Sequence, residues 1–419
     1  MMHRPIVLSC SCALVLWFSS SATGQEWTRF RGPHGSGVSQ AATIPVQWTA
    51  DDYRWRVKLP GLGYSSPVVW GDRIFVTAAI QGDGTRIIRC LDRSDGQEIW
   101  TRSFPAMTFP MGNATGYDAA SPTVDEDHVY ITWATPYHYM VLALDQQKGE
   151  EVWRRDLGPF QGDHGFGASP ILFDDLLIVP NDQSGESSVL ALDRSTGETR
   201  WKVDRRTVKT AYSTPIVYQP EEGPPQLILT CTAHGVSSLE PRSGKLNWEL
   251  ADAFGNQRVV GSPTVASGLI FASCGTGGGG KRMVAVRPGG LQPKSDPEIA
   301  YEFNGALPYV PTPVAHGKLL FFFSDSGVAT CADAPSGTIH WRERVGGRYF
   351  GSPVRVADRI YCIAREGTMV VLAASDEYKL LARIDLGEPS NSTPAIAGGV
   401  MYIRTASHLM ALGSSEETP

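Results

Sequence analysis

A proline preceded by serine or threonine and followed by apolar residues recurs eight times, at Pro67, Pro122, Pro170, Pro215, Pro263, Pro313, Pro353 and Pro394. The intervals are 55, 48, 45, 48, 50, 40 and 41 residues. A unit of this length cannot bury its own apolar face, so it must stack against its copies. Each unit reads as four short strands. A strand follows the proline, a turn such as "WGDR" or "FDDL" leads to a second apolar run, a third strand ends in "ALD", and a glycine-containing turn leads to a fourth that carries tryptophan. Four strands per unit make one propeller blade. The 44 glycines and 29 prolines favour turns, and no stretch holds a capped 3.6-residue apolar period. The expectation is an all-β, eight-bladed β-propeller of four-stranded antiparallel blades.

The third turn has a repeated phrase: "CLDRSDGQEIW" (90–100), "ALDQQKGEEVW" (143–153) and "ALDRSTGETRW" (191–201). Its glycine supplies the positive φ of a tight hairpin. Its aspartate accepts turn amides. Its tryptophan can wedge between blades while the indole N–H finds a backbone partner. The fourth-strand anchors are Trp100, Trp153, Trp201, Trp248, Tyr301, Trp341 and, in degraded form, Leu381. The eighth unit stops at "HLMALG" without a fourth strand. The missing strand is "YRWRVKLPG" (53–61), ahead of the first unit, with Trp55 in the anchor position. The N-terminal strand should therefore complete the last blade and close the ring, which removes exposed edges. Seven blades would leave one unit unused.

The organisation expected is a signal peptide at 1–24, an N-terminal extended segment at 25–52, the propeller at 53–413 and a disordered tail at 414–419. His3 and Arg4 precede an apolar run from Ile6 to Phe18 and small residues, "SSSATG", which is the pattern of a secretory leader and too short to span a membrane. Cys10 after "VLS" is only loosely a lipoprotein box. The protein is read as exported, periplasmic or extracellular, monomeric and without a membrane span. A net charge of −6 gives no footprint for nucleic acid. Cys90, Cys231, Cys274, Cys331 and Cys362 have no metal or haem spacing and sit in strand-like runs, as buried thiols do. The stretch "WTRFRGPHGSGVS" (27–39) is expected to lie extended against the outside of the disc.

The repeated Ala-x-Asp-x-x-x-Gly-x-x-x-Trp phrase with Ser-Pro strands resembles the pyrroloquinoline-quinone (PQQ) repeat, over about residues 53–413. That resemblance implies the propeller fold. It also implies two branches: quinoprotein alcohol dehydrogenases, which hold PQQ and calcium in a central funnel, and non-catalytic propellers similar to BamB. The adjacent cysteine pair and the C-x-x-C-H haem motif of the enzymes are absent. No spacing selects a calcium set from Asp118, Asn181, Asp182 and Asn256. "GTGGGGKR" (275–282) lies between two strands, so it reads as a hairpin and not as a phosphate loop. The resulting expectation is no catalytic residue, no metal and no cofactor, with PQQ plus calcium as the alternative. The expected role is a scaffold that binds a protein or peptide partner. A small-molecule or carbohydrate site is the third reading.

Binding residues are sought in the two long joining loops, 101–120 and 154–169, and at the channel mouth. The candidates are His164, Asn181, Asp182, Tyr117, Asp118, Arg348, Tyr349 and Tyr309, with His234 and Arg258 nearby.

Overall fold

Eight four-stranded antiparallel sheets stand around one axis in the computed structural model, which describes residues 26–110, 116, 119–206, 208–291 and 294–413. Blades 1 to 7 take their strands from 68–104, 123–156, 171–205, 216–250, 264–303, 314–344 and 354–385. Blade 8 consists of Ala395–Ala397, Val400–Arg404, His408–Leu412 and the N-terminal strand Tyr53–Lys58. Trp55 pairs with Ala411 and Val57 with Leu409, so the ring closes as its repeats require. The helical elements among the described residues are three turns of 3-10 helix, Pro33–Gly35, Ala50–Asp52 and Ala251–Ala253.

The Ser/Thr-Pro signature builds the inner ring. The residue before each proline is held extended by the pyrrolidine ring, and its N–H donates to the matching hydroxyl of the next blade. The links run Ser66 to Ser121 (2.9 Å), Ser121 to Ser169 (2.9 Å), Ser169 to Thr214 (3.2 Å) and Thr214 to Ser262 (3.0 Å). They continue Ser262 to Thr312 (2.9 Å), Thr312 to Ser352 (3.0 Å) and Ser352 to Thr393 (2.9 Å). The seam between blades 8 and 1 uses other groups: Ser392 Oγ and Arg404 Nη1 donate to the Ser65 carbonyl at 2.9 and 3.0 Å.

The tryptophan phrase fastens the outer edge. Each indole N–H crosses to the next blade, from Trp55 to Arg93 O (3.1 Å), Trp100 to Gln146 O (3.1 Å), Trp153 to Arg194 O (2.9 Å) and Trp201 to Pro241 O (3.0 Å). Trp341 does the same to Ser375 O at 3.0 Å. Trp248 instead donates to Gln226 Oε1 of its own blade. The phrase glycine of the next blade lies flat under the indole. A Cβ on Gly96, Gly149, Gly197 or Gly244 would stand 2.6–2.7 Å from the ring of Trp55, Trp100, Trp153 or Trp201. The aspartates accept the turn amides, as at Asp193 Oδ1 from the N–H groups of Ser195 (2.9 Å) and Thr196 (3.0 Å). The apolar core lies between the blades. One cluster joins Tyr130, Val141 and Trp153 of blade 2 to Leu177, Val179 and Leu192 of blade 3. The five cysteines are buried and unbridged.

One expectation is corrected. The segment 27–39 does not lie outside the disc; it crosses the channel. Trp27 bridges to Val69 of blade 1, and Val124 of blade 2 donates to Thr28 O at 2.9 Å. Arg29 Nη2 donates to Pro215 O of blade 4 at 2.7 Å. Val38–Ser39 then pairs in parallel with the innermost strand of blade 7. The reason is backbone chemistry: the innermost strands present unpaired carbonyls to the axis, and buried carbonyls need donors. Arg31 supplies all five of its N–H groups. They reach Gly35 O (3.2 Å), Thr312 O (3.2 Å), Pro353 O (3.0 Å), Ser36 O (3.0 Å) and Pro313 O (2.6 Å). Burial pushes its guanidinium down to about 9, which leaves it charged at neutral pH.

Candidate functional site

Above this filler a cavity of about 630 Å³ opens along the axis. All eight blades line it, and Phe30 of the filler lies in its wall. Strand alternation explains the lining, because residues two apart share a face. The hydroxyl residues Ser66, Ser169, Thr214, Ser262, Thr312, Ser352 and Thr393 form one tier. The residues two positions before these seven and before Ser121 form the next: Tyr64, Ala119, Gly167, Tyr212, Val260, Val310, Phe350 and Asn391.

Among the described lining residues, charge is confined to blades 5 to 7. Arg258 precedes blade 5, Lys281 lies on its third strand, Asp325 in the second turn of blade 6, and Arg348 and Arg365 in blade 7. Lys281 Nζ is 2.9 Å from Asp325 Oδ2. The same carboxylate accepts the N–H groups of Tyr309 (2.8 Å) and Val310 (3.2 Å). Arg258 is paired with Asp163, and Arg348 Nε with Glu366 Oε1 at 2.8 Å. Arg365 sits 4.1 Å from the Phe350 ring centroid, and its Nε donates to Asn391 Oδ1 at 3.0 Å. Blades 1 to 4 offer Tyr64, Phe166, Tyr212 and the half-buried His164. Burial, then the Arg258 charge, pushes the His164 imidazole below its ordinary value, which keeps it neutral at pH 7. Its backbone N–H donates to the Tyr212 hydroxyl at 3.0 Å. Burial pushes that hydroxyl up to about 12.

The structure brings His164, Tyr309, Arg348 and Arg258 together in this wall. Asn181, Asp182 and Tyr349 are elsewhere, and their placement at the mouth is corrected. Asn181 ends the second strand of blade 3, one strand removed from the axis, Asp182 follows it, and both are buried. Asp182 Oδ1 accepts from the buried Arg205 at 2.7 Å, and Asn181 Oδ1 from Gln183 at 3.0 Å. Tyr349 alternates with Phe350 and so points the other way, against Phe323 of blade 6 at 5.1 Å. His234 is tied to Glu249 (2.5 Å) and to the Arg206 N–H (2.9 Å) on the rim of blade 4. Tyr117 and Asp118 lie outside the described residues. The "GTGGGGKR" stretch is a hairpin between Leu269–Thr276 and Gly279–Arg287, and it delivers Lys281 to the cavity. Sequence reasoning missed Tyr64, Tyr212, Lys281, Asp325, Phe350 and Arg365. Counting two residues back from each Ser/Thr-Pro finds three of them.

The described lining residues provide poorly for calcium. Calcium takes six to eight oxygens, several from carboxylates. Asp325 is the single carboxylate among the described lining residues, and it already serves a lysine and two amides. Among the described residues no three His, Cys, Asp or Glu side chains gather into a metal cluster. No helix among them is long and apolar enough to cross a membrane.

A circular eight-bladed array with hydroxyl and indole fasteners is the architecture of PQQ-like repeat propellers. The chain matches the family described as outer membrane protein assembly factor BamB over residues 84–300 and 294–413, and it belongs to that family. BamB from Moraxella catarrhalis superposes with a TM-score of 0.63 at 13% identity, covering 87% of this chain and 98% of that one. The quinohemoprotein alcohol dehydrogenase from Comamonas testosteroni gives 0.67 at 12% identity, covering 96% and 82%. A polyvinylalcohol dehydrogenase of a Pseudomonas species is 23% identical over 201 residues, which is 43% of this chain and 29% of the relative. The match therefore spans under a third of that enzyme, and likenesses at this level establish the fold alone.

Proposed function

We propose that the protein is an exported, non-catalytic PQQ-like propeller that binds a protein partner at the open face of its funnel, in an assembly or scaffold role. Membership of a family described by an outer membrane assembly factor supports the class of role. The observation that carries the reading is the composition of the wall. Four cations stand beside aromatic rings, while the described carboxylate of the wall is engaged in holding Lys281 and two amides. Among the described residues such a wall leaves Arg365 without a carboxylate partner, which favours an anionic surface, and offers no carboxylate free for a metal. The leader-like residues 1–24 support export, and no catalytic residue is assigned.

A calorimetric titration of the full-length protein with PQQ plus calcium, paired with a dye-linked alcohol oxidation assay, tests it. A flat titration and no turnover are expected. Binding tighter than about 1 μM together with alcohol oxidation overturns the reading in favour of a quinoprotein dehydrogenase.

A further inference from the structure

We infer that the funnel is a carboxylate site which takes a short acidic peptide segment, with Arg365 as its anchoring cation. The inference rests on the protein-binding reading above and names the chemistry of the segment.

Three of the four cations in the wall are neutralised: Arg258 by Asp163, Lys281 by Asp325 and Arg348 by Glu366. Arg365 has no carboxylate partner among the described residues. Its position is nonetheless fixed from two sides. The guanidinium stacks on Phe350 at 4.1 Å, which sets its plane, and Nε is tied to Asn391 Oδ1 at 3.0 Å, which sets its rotation. Its backbone is held as well, with the N–H donating to Arg348 O at 2.7 Å. The Nε side of the fork is thus used, and the Nη1/Nη2 edge is left for a ligand. That edge presents two parallel donors at the spacing of two carboxylate oxygens. A charge held at a half-buried wall by one neutral acceptor and one ring is incompletely compensated, and an anion in the same cavity supplies the rest.

The opposite wall decides what accompanies the carboxylate. Tyr64, Phe166 and Tyr212 give blades 1, 3 and 4 an uncharged aromatic surface. A ligand that spans the funnel is therefore acidic at one side and apolar at the other. A volume of about 630 Å³ admits a short extended stretch of chain and excludes a folded element. These features select an acidic peptide over a small dicarboxylate.

The test is fluorescence anisotropy with a fluorescein-labelled hexapeptide of alternating Asp and Phe, read against full-length protein. Saturable binding is expected. It should weaken roughly tenfold or more in Arg365→Gln, the loss for one charge-assisted pair, and partly recover in Arg365→Lys. It should also weaken as salt rises. Arg287→Gln, at the end of the third strand of blade 5 and outside the cavity lining, should leave it unchanged. Thermal unfolding of each variant within about 3 °C of the parent establishes that the fold is intact. Equal binding of the Asn-for-Asp peptide, or unaltered affinity in a folded Arg365→Gln, overturns the inference. So does displacement by succinate at concentrations that match the peptide's, since the site would then be one for free acids. No peptide binding at all overturns it too, while the protein-binding reading still stands or falls by the cofactor titration.

Discussion

Gly197 has φ of +72°, and a Cβ there would sit 2.7 Å from the Trp153 indole. Replacing it with alanine meets both a strained dihedral and a rigid ring, so Gly197→Ala should destabilise by about 2–3 kcal/mol, measured by urea unfolding. Trp153→Phe keeps a ring against the glycine but loses the bond to Arg194 O, and should cost about 1–2 kcal/mol. Trp153→Ala adds an interblade cavity and should cost about 3–4 kcal/mol. If Trp153→Ala costs no more than Trp153→Phe, the packing argument fails. These contacts were legible in the phrase itself, since spacing placed a positive-φ glycine and a large indole at the same turn of successive blades. The site residues were less legible. His164, Tyr309 and Arg348 were chosen from loop position, which cannot tell Tyr349 from Phe350. Only the register of the innermost strand does that, and it was not projected onto the axis.

At the scale of elements, the seam differs from the other joints. The Tyr53–Lys58 strand is held partly through Arg56, whose Nη2 lies 2.9 Å from Glu388 Oε1. Burial alone would raise the Glu388 carboxyl, but bonds from Thr405 and Ser407 and the charge of His408 bring it down to about 2. The folded state then binds this proton more weakly than the unfolded chain. Its contribution to stability is full above ~4.5 and is lost as pH falls through about 2. Glu388→Gln should lower the urea midpoint at pH 7, and the gap from the parent should close as the pH drops below ~4.5. A gap independent of pH would refute the assignment. The closing strand was legible because one unit lacked its fourth strand and one surplus strand carried tryptophan. The seam bonds were not, because the positions of Ser65, Ser392 and Arg404 carry no fixed residue type from one repeat to the next.

At the scale of the molecule, the channel filler is the largest departure from the sequence reading. Glycine and arginine content suggested an exposed strap, and composition says nothing of carbonyls waiting on an axis. Arg31→Lys keeps the charge but offers three donors where five are used. Both it and Arg31→Ala should destabilise by about 3 kcal/mol or more, with a lower thermal midpoint by calorimetry. Removal of 27–39 should lower it further. A midpoint unchanged in all three would mean that the ring holds without its filler.

The filler also dictates an order of events. Arg31 binds partners 281, 282 and 322 residues further along the chain. The stretch that occupies the axis is thus synthesised before every blade it joins, and the Arg31 contacts to Thr312, Pro313 and Pro353 cannot form until blades 6 and 7 exist. So large a sequence separation makes folding slow, because loop closure must precede reward. The oldest stretch of the chain thus carries bonds that only its youngest blades can complete.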